Sequence, residues 1–209
     1  PRLVILGCKP QQLDEVVARL TPHLTQQTVV VSILAGVEVE TLRSKFWTAG
    51  AIVRALPNLP VAIRRGVVAL HGEELPGELH DELSQFFAQL GYALWTNNES
   101  SLAAVGSVAG AGPAYVARFV DALAKAGMDR GLSADLARTV ALETVLGTAW
   151  MAATTQESMD DIVRRVASPN GTTEAGLAVL NREDVLDKLV SLTIVAASRR
   201  GAELAGEAK

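Results

Sequence analysis

The sequence predicts an α/β sheet in the first half of the chain and an all-helical second half. Short apolar runs alternate with amphipathic segments up to residue 98, and the apolar period is helical from Glu99 onward. Strands that alternate with helices favour a parallel sheet. Of the 209 residues, 49% are hydrophobic, which is enough to bury a substantial core. We therefore expect residues 1–98 and 99–209 to form two domains of different architecture.

The expected elements follow the chain in order. Short buried runs predict strands at Leu3–Cys8, Val29–Leu34, Ile52–Leu56, Val67–Leu70 and Tyr92–Trp95. Helical periodicity in the first half predicts helices at Gln11–Leu20 (apolar face Leu13, Val16, Val17, Leu20), at Val37–Phe46 and along the stripe Leu79, Leu83, Phe86, Phe87, Leu90. In the second half it predicts helices at 101–111, 113–128, 134–153, 159–166, 173–181 and 184–204, with Ser133 and Ser158 as N-caps.

Composition argues against several classes of function. A net charge of -4 without a block of like charges argues against a nucleic-acid or membrane partner and favours a small molecule. The single cysteine, Cys8, allows no internal disulfide and fits a reducing, cytoplasmic compartment. The three histidines share no ligand spacing, so we expect no metal site.

Neither a membrane span nor a signal peptide is expected. The longest stretch without a formal charge, Ser100–Ala117, contains several Ser and Gly residues and Pro113, so it is too weakly apolar for a membrane helix. The first residues do not have the pattern of a signal peptide, so we expect none. The apolar run LVILGC directly after Pro1 suggests that the chain begins partway through a larger protein.

The segment Ala134–Ala153 is apolar around most of its circumference. Its apolar residues include Leu136, Val140, Val145, Leu146, Trp150 and Met151. Such a helix is expected to be buried on all sides. A helical half of this size provides little room for that burial, which favours a homodimer interface, and the alternative is the central helix of a monomeric bundle.

Three loops follow predicted strands and are expected at the same sheet edge. In an open parallel sheet, ligands bind beyond the carboxyl ends of the strands. The candidate cofactor-binding residues in these loops are Gly7, Cys8, Lys9, Pro10, Ala35, Gly36, Pro57 and Asn58. Each loop by itself is also typical of a plain tight connection. Their common position favours a dinucleotide cofactor that lies across the edge.

The stretch VASPNGTTEAGL at residues 166–177 permits two interpretations. Pro, Asn and Gly favour a tight turn, and Thr favours a helix N-cap. Alternatively, the unpaired N–H groups of a helix start, joined by Ser and Thr hydroxyls, form a seat for a carboxylate or phosphate.

Sequence motifs that are typical of hydrolases, zinc proteases and P-loop enzymes are missing from the sequence. It contains no nucleophile elbow, no His-Glu-x-x-His pair and no Walker sequence. The string Gly110–Tyr115 follows a helical stretch and ends in Tyr, so it does not fit a dinucleotide fingerprint. What remains is a reaction whose hard step belongs to a cofactor.

Four strings, in this order, resemble the pyrroline-5-carboxylate reductase family. They are GCKPQ at 7–11, RALPNLP at 54–60, GAGPAYV at 110–116 and VASPNGTTEAGL at 166–177. The resemblance covers essentially the whole chain, except that the amino-terminal phosphate-binding strand and turn of the family are missing. It implies a Rossmann-like domain that lacks its first part, at 1–98, followed by an all-helical substrate-binding and dimerisation domain at 99–209.

The resemblance also implies an activity and a set of site residues. The expected reaction is the reduction of 1-pyrroline-5-carboxylate to L-proline with NADPH or NADH, by a homodimer or a higher oligomer of dimers. By the same resemblance, the substrate carboxylate is expected to bind the backbone N–H groups of Asn170, Gly171 and Thr172 and the Ser168 hydroxyl. Thr173 is the expected catalytic residue, with its hydroxyl facing the ring nitrogen.

Departures from the family pattern leave alternatives open. Leu59, Ala111 and Asn170 stand where the pattern has Thr, Ser and Gly. A related imine reductase is one alternative. Another is a β-hydroxyacid dehydrogenase, for which Lys125 is the candidate catalytic lysine, although its surroundings are typical of a solvated face. A non-catalytic dimerisation module is the third.

Overall fold

A computed structural model of the chain, which describes residues 1–207, contains a five-stranded sheet with flanking helices and then helices alone. The strands are β1 (Leu3–Leu6), β2 (Val29–Ser32), β3 (Ala51–Pro57), β4 (Gly66–Gly72) and β5 (Gly91–Trp95). The helices are α1 (Leu13–Leu20), α2 (Val39–Lys45), α3 (Gly77–Ala88), α4 (Glu99–Val105), α5 (Gly112–Met128), α6 (Ala134–Thr155), α7 (Met159–Val166), α8 (Thr172–Leu180) and α9 (Val185–Glu207). The predicted α/β half and helical half are confirmed.

The sheet has the order β1-β2-β3-β4-β5 and is mostly parallel. Strands β1, β2 and β3 are parallel to one another, and β5 is parallel to β4. The predicted parallel sheet is confirmed except at one place, where β4 runs antiparallel to β3. Residues 58–65, which contain the 3-10 turn Leu59–Ile63, join the two strands. A parallel crossover needs a dozen or more residues, so this short connection returns the chain antiparallel.

The sheet buries both faces under helices. On one face, Val30 and Ile52 pack with Leu42 of α2 and with Phe46, which directly follows that helix, and the predicted apolar face of α1 joins this cluster. On the other face, β2, β3 and β4 pack against α3. Leu83 and Phe87 of α3 are buried as the predicted stripe requires, whereas Phe86 is 43% exposed.

The helices of the second half lie within three residues of their predicted bounds, except for 101–111. There α4 ends at Val105, and a π-helical turn spans Gly106–Gly110. Both predicted N-caps are confirmed. The Ser133 Oγ accepts a hydrogen bond from the Leu136 N–H (3.4 Å), and the Ser158 Oγ accepts one from the Asp161 N–H (3.1 Å).

The chain divides by compactness into two units. One contains residues 1–113 and the residues from Ile194 onward, and the other is Ala114–Thr193. The expected domain boundary near residue 98 stays a prediction. Within residues 1–207, no helix is long and apolar enough to cross a membrane.

Helix α6 keeps its large apolar side chains on the surface of the single chain. Its buried residues are Ala137, Ala141 and Ala152. Its exposed apolar residues are Leu136, Val140, Leu142, Leu146 and Trp150, with exposed fractions of 47–55%. The alternative of a central helix in a monomeric bundle is therefore wrong. A contiguous apolar surface of this kind is typical of an interface with another protein chain.

Candidate active site

The carboxyl ends of β1, β2 and β3 meet at one edge of the sheet. The strands are parallel and in register, so that Leu6 pairs with Ser32, and Ser32 pairs with Arg54. The loops that follow these strands therefore begin at the same edge, as predicted. All eight candidate cofactor-binding residues in these loops, Gly7, Cys8, Lys9, Pro10, Ala35, Gly36, Pro57 and Asn58, are half-buried or exposed. Such accessible loops fit a dinucleotide laid across the edge.

Two of these loops have defined conformations. Lys9 is extended (φ -74°, ψ 147°), as expected for a residue before proline. Its N–H donates to the Gln12 Oε1 (3.1 Å), and the Gln12 N–H donates to the Lys9 carbonyl (2.9 Å). In the second loop, Gly36 has a φ of 74°, in the left-handed region that glycine adopts without a steric penalty.

Asn58 holds the third loop in place through both ends of its side-chain amide. Its Oδ1 accepts a hydrogen bond from the Val67 N–H at the start of β4 (2.8 Å). Its Nδ2 donates to the carbonyl of Ala109 in the π-helical turn (3.0 Å). Asn58 therefore has a structural role in addition to its predicted contact with a cofactor, which stays a prediction.

An ion pair between Arg43 and Glu73 fixes the carboxyl-terminal end of α2 to the sheet. The Arg43 Nε donates to the Glu73 Oε1 (2.6 Å), and the Arg43 Nη2 donates to the other carboxylate oxygen. The hydrogen bonds from Arg43 lower the pKa of Glu73, and Glu73 in turn raises the pKa of Arg43. Glu73 also accepts the Ile52 N–H (3.2 Å). This cluster joins α2, β3 and the residue after β4.

The loop before α8 has the tight turn that its sequence predicts. The Gly171 N–H donates to the Ser168 carbonyl (2.9 Å), which closes the turn. Asn170 has a φ of 59°, so it adopts the left-handed geometry that Asn tolerates well. A Cβ on Gly171 would lie 2.9 Å from the Ser168 carbonyl oxygen, a backbone atom that cannot move aside without opening the turn, so that close approach favours glycine. The loop therefore contains the tight turn of the first interpretation and also the helix start on which the carboxylate or phosphate seat of the second depends.

Glu174, the third residue of α8, contacts this loop as well, although the sequence motifs give it no role. Its Oε2 accepts a hydrogen bond from the Asn170 N–H (2.6 Å). The Glu174 carboxylate is thus hydrogen-bonded to the Asn170 N–H, one of the groups expected to bind the substrate carboxylate. The sequence signal for this contact is an acidic side chain in the first turn of a helix, where N–H groups without helical partners are close by. Among the described residues, no partner is present for the Thr172 N–H or for the Thr173 hydroxyl.

Comparison with known proteins identifies the family. Residues 99–204 match the family model described as pyrroline-5-carboxylate reductase dimerisation. The chain is 35% identical to the pyrroline-5-carboxylate reductase of Pseudomonas aeruginosa, over 97% of this chain and 74% of the relative. The chain belongs to the pyrroline-5-carboxylate reductase family. The pyrroline-5-carboxylate reductase of Synechocystis is 37% identical, over 97% of this chain and 74% of that relative. A solved pyrroline-5-carboxylate reductase from Coxiella burnetii matches with a TM-score of 0.91 at 31% identity, over 97% of this chain and 76% of that one.

Family membership confirms the resemblance and the dimerisation character of the helical half. The family model covers α6, whose exposed leucines have no explanation in the single chain. Lys125, the candidate lysine of a hydroxyacid dehydrogenase, has a side chain that is 60% exposed and donates to Asp121 (2.7 Å). It lies on the solvated face that its surroundings predict. Across the described residues 1–207, no three His, Cys, Asp or Glu side chains are grouped so as to hold a metal ion.

Proposed function

We propose that this protein reduces 1-pyrroline-5-carboxylate to L-proline by hydride transfer from NADPH or NADH, the last step of proline biosynthesis. The observation that carries the proposal is the similarity to pyrroline-5-carboxylate reductases over 97% of the chain, at 35% identity for the Pseudomonas aeruginosa enzyme. It extends across both the sheet edge and the loop before α8. Residues 1–98 would supply the cofactor-binding part, and residues 99–209 would supply the substrate-binding and dimerisation part.

The substrate carboxylate is proposed to bind the loop before α8. The N–H groups of Asn170, Gly171 and Thr172 and the Ser168 hydroxyl are its proposed donors. Two of these N–H groups have partners in the chain, since Gly171 donates to the turn and Asn170 donates to Glu174. Binding of the substrate would therefore replace the Glu174 carboxylate by the substrate carboxylate at Asn170, while the Thr172 N–H is available without rearrangement.

The chemistry requires few ionisable groups from the protein. A protonated cyclic imine is already electrophilic, and the nicotinamide supplies the hydride when it is bound. The chain must hold the imine carbon in line for transfer and exclude water. The Thr173 hydroxyl is proposed to hydrogen-bond the ring nitrogen and so to hold its proton. No strongly activated acid or base is needed for these tasks.

The cofactor is proposed to lie across the edge formed by the loops after β1, β2 and β3. Gly7, Cys8, Lys9, Pro10, Ala35, Gly36, Pro57 and Asn58 are its proposed contacts. The support for this assignment is that these residues begin at one edge and keep accessible atoms. The left-handed Gly36 brings backbone without a Cβ to this edge, which suits the close approach of a nucleotide.

Assembly is proposed to be a homodimer, or a higher oligomer of dimers, formed through the exposed apolar face of α6. The exposed leucines and Trp150 of that helix support this assignment. Since Cys8 is the single cysteine, we also propose a reducing, cytoplasmic setting.

The test is a steady-state assay of the full-length protein for NADPH and NADH oxidation, followed by absorbance at 340 nm. The expected result is turnover with 1-pyrroline-5-carboxylate that greatly exceeds turnover with a piperideine carboxylate or a β-hydroxyacid substrate. A preference for the six-membered imine would favour the related imine reductase instead. Nucleotide-independent dimerisation without any turnover would favour the non-catalytic module.

A further inference from the structure

A buried ion pair between Arg54 and Glu99 lies beside the proposed cofactor edge and contacts none of the residues proposed to bind substrate or cofactor. Arg54 is in the middle of β3 and is 7% exposed, and its cross-strand neighbours are Ser32 of β2 and His71 of β4. Its Nη1 donates to the Oε2 of Glu99, the first residue of α4. The pair thus joins the sheet to the helix that follows β5.

The second oxygen of Glu99 reaches a different element. The Glu99 Oε1 accepts a hydrogen bond from the Val39 N–H (2.8 Å), at the first residue of α2. This N–H is among the first four of a helix, which have no partner within the helix. The N-cap residue Glu38 makes no side-chain cap to α2. Glu99 therefore caps α2 from a point 60 residues further along the chain.

The start of α2 determines where the second cofactor loop ends. Ala35 and Gly36 lie between Leu34 and Val37, whose side chains are each 2% exposed. The loop is therefore anchored by a buried residue on each side, and the helix that follows begins at the N–H held by Glu99. A shift of the α2 start would displace Val37, two residues before Val39, and with it the adjoining Gly36.

We propose that Glu99 is a positioning residue for the nucleotide cofactor. Its carboxylate fixes the start of α2 and thereby the conformation of the Ala35–Gly36 loop, and Arg54 holds that carboxylate in place. This assignment rests on the proposed function, because it takes the loop to be a cofactor contact. The Nε of Arg54 is buried and has no hydrogen-bond partner among the described residues, which makes this placement of the guanidinium energetically costly.

The chain offers a matched control on the same helix. Arg43 and Glu73 form a second partly buried arginine–glutamate pair that accepts a backbone N–H, but it lies at the carboxyl end of α2, away from the cofactor loops. A role in stability alone predicts similar consequences for the loss of either pair. A positioning role predicts that nucleotide binding depends on Glu99 and not on Glu73.

The experiment compares Glu99→Gln with Glu73→Gln in the full-length protein. For each variant, the denaturation midpoint, the Kd for NADPH by fluorescence titration, and kcat and both KM values are measured. We expect Glu99→Gln to raise the Kd and KM for NADPH by roughly tenfold, on the scale of one lost charge-assisted hydrogen bond. The kcat and the KM for the imine should stay within twofold. Glu73→Gln should shift the midpoint without changing the Kd for NADPH.

Equal Kd values for NADPH in the two variants, whether raised or unchanged, would overturn the positioning role. If Glu99→Gln does not fold, Glu99→Asp keeps the charge beside Arg54 but is too short to contact Arg54 and Val39 together, and the same rise in Kd is expected. A wild type that binds NADPH but does not turn over the imine would refute the proposed function alone, because the titration still decides the role of Glu99. A wild type that binds no nucleotide would refute both.

Discussion

Replacement of Thr173 by valine tests the proposed hydrogen bond to the ring nitrogen most directly. Thr173 is the second residue of α8, it is half-buried, and its hydroxyl has no partner among the described residues. Valine has nearly the same shape and a similar helix propensity. The substitution therefore removes no hydrogen bond of the free protein and should change the free energy of unfolding by less than about 0.5 kcal/mol.

The expected effect on catalysis is much larger. A hydrogen bond to a charged group contributes about 1.5–3 kcal/mol, which corresponds to a loss of roughly 10- to 150-fold in kcat/KM for the imine. Thr173→Ala should give a loss of the same order. Thr173→Ser, which keeps the hydroxyl and removes the methyl group, should retain most of the activity.

The assay pairs steady-state kinetics with chemical denaturation for all three variants. Parallel losses of activity and stability in Thr173→Val would show that the residue acts through the fold. Equal activity of the Val and Ser variants would show that the hydroxyl takes no part. Either result would refute the assignment of Thr173 as the catalytic residue.

Three further expectations follow from other parts of the molecule. Because Arg43 lowers the pKa of Glu73 in the folded state, that carboxylate stabilises the protein above the ordinary glutamate pKa of about 4.3, and the contribution is lost as the pH falls through the lower folded value. Glu73→Gln should therefore flatten the acid limb of a plot of unfolding free energy against pH, and an unchanged limb would contradict the pairing. Gly91→Ala should destabilise the fold by more than about 2 kcal/mol in urea denaturation, because Gly91 has a φ of 137° and a Cβ there would lie 2.1 Å from the Gly66 carbonyl oxygen. Leu146→Asp should dissociate the oligomer in light scattering, since this side chain is 55% exposed in the single chain, and an unaltered mass would place the interface elsewhere.

Local patterns were sufficient for most of the secondary structure. The stripe of α1 and the caps at Ser133 and Ser158 depend on neighbours within four residues, so periodicity and side-chain chemistry predict them. The antiparallel pairing of β3 with β4 was missed because the helix–strand alternation was extended over a connection too short to cross the sheet. The π-helical turn at Gly106–Gly110 was missed because glycines there also permit an ordinary helix.

In the candidate site, too, local features could be predicted from the sequence and contacts between distant residues could not. The turn at Asn170 and the loops after β1, β2 and β3 follow from residues that are adjacent in sequence. The bond between Glu174 and the Asn170 N–H joins residues four apart within one motif and was open to prediction as a local contact. The contact of Glu99 with Arg54 and Val39 was not, because its members are 45 and 60 residues apart and nothing local indicates their proximity.

The sequence by itself determined the α/β and helical halves, the family, and the loops expected to hold cofactor and substrate, because each depends on periodicity or on short motifs. Tertiary structure alone decided that Asn58 joins β4 to the π-helical turn and which distant carboxylate caps α2. It also decided that the apolar residues of α6 face outward from the single chain. Hydrogen bonds and burial between distant segments depend on how the chain packs, and no local pattern encodes that packing.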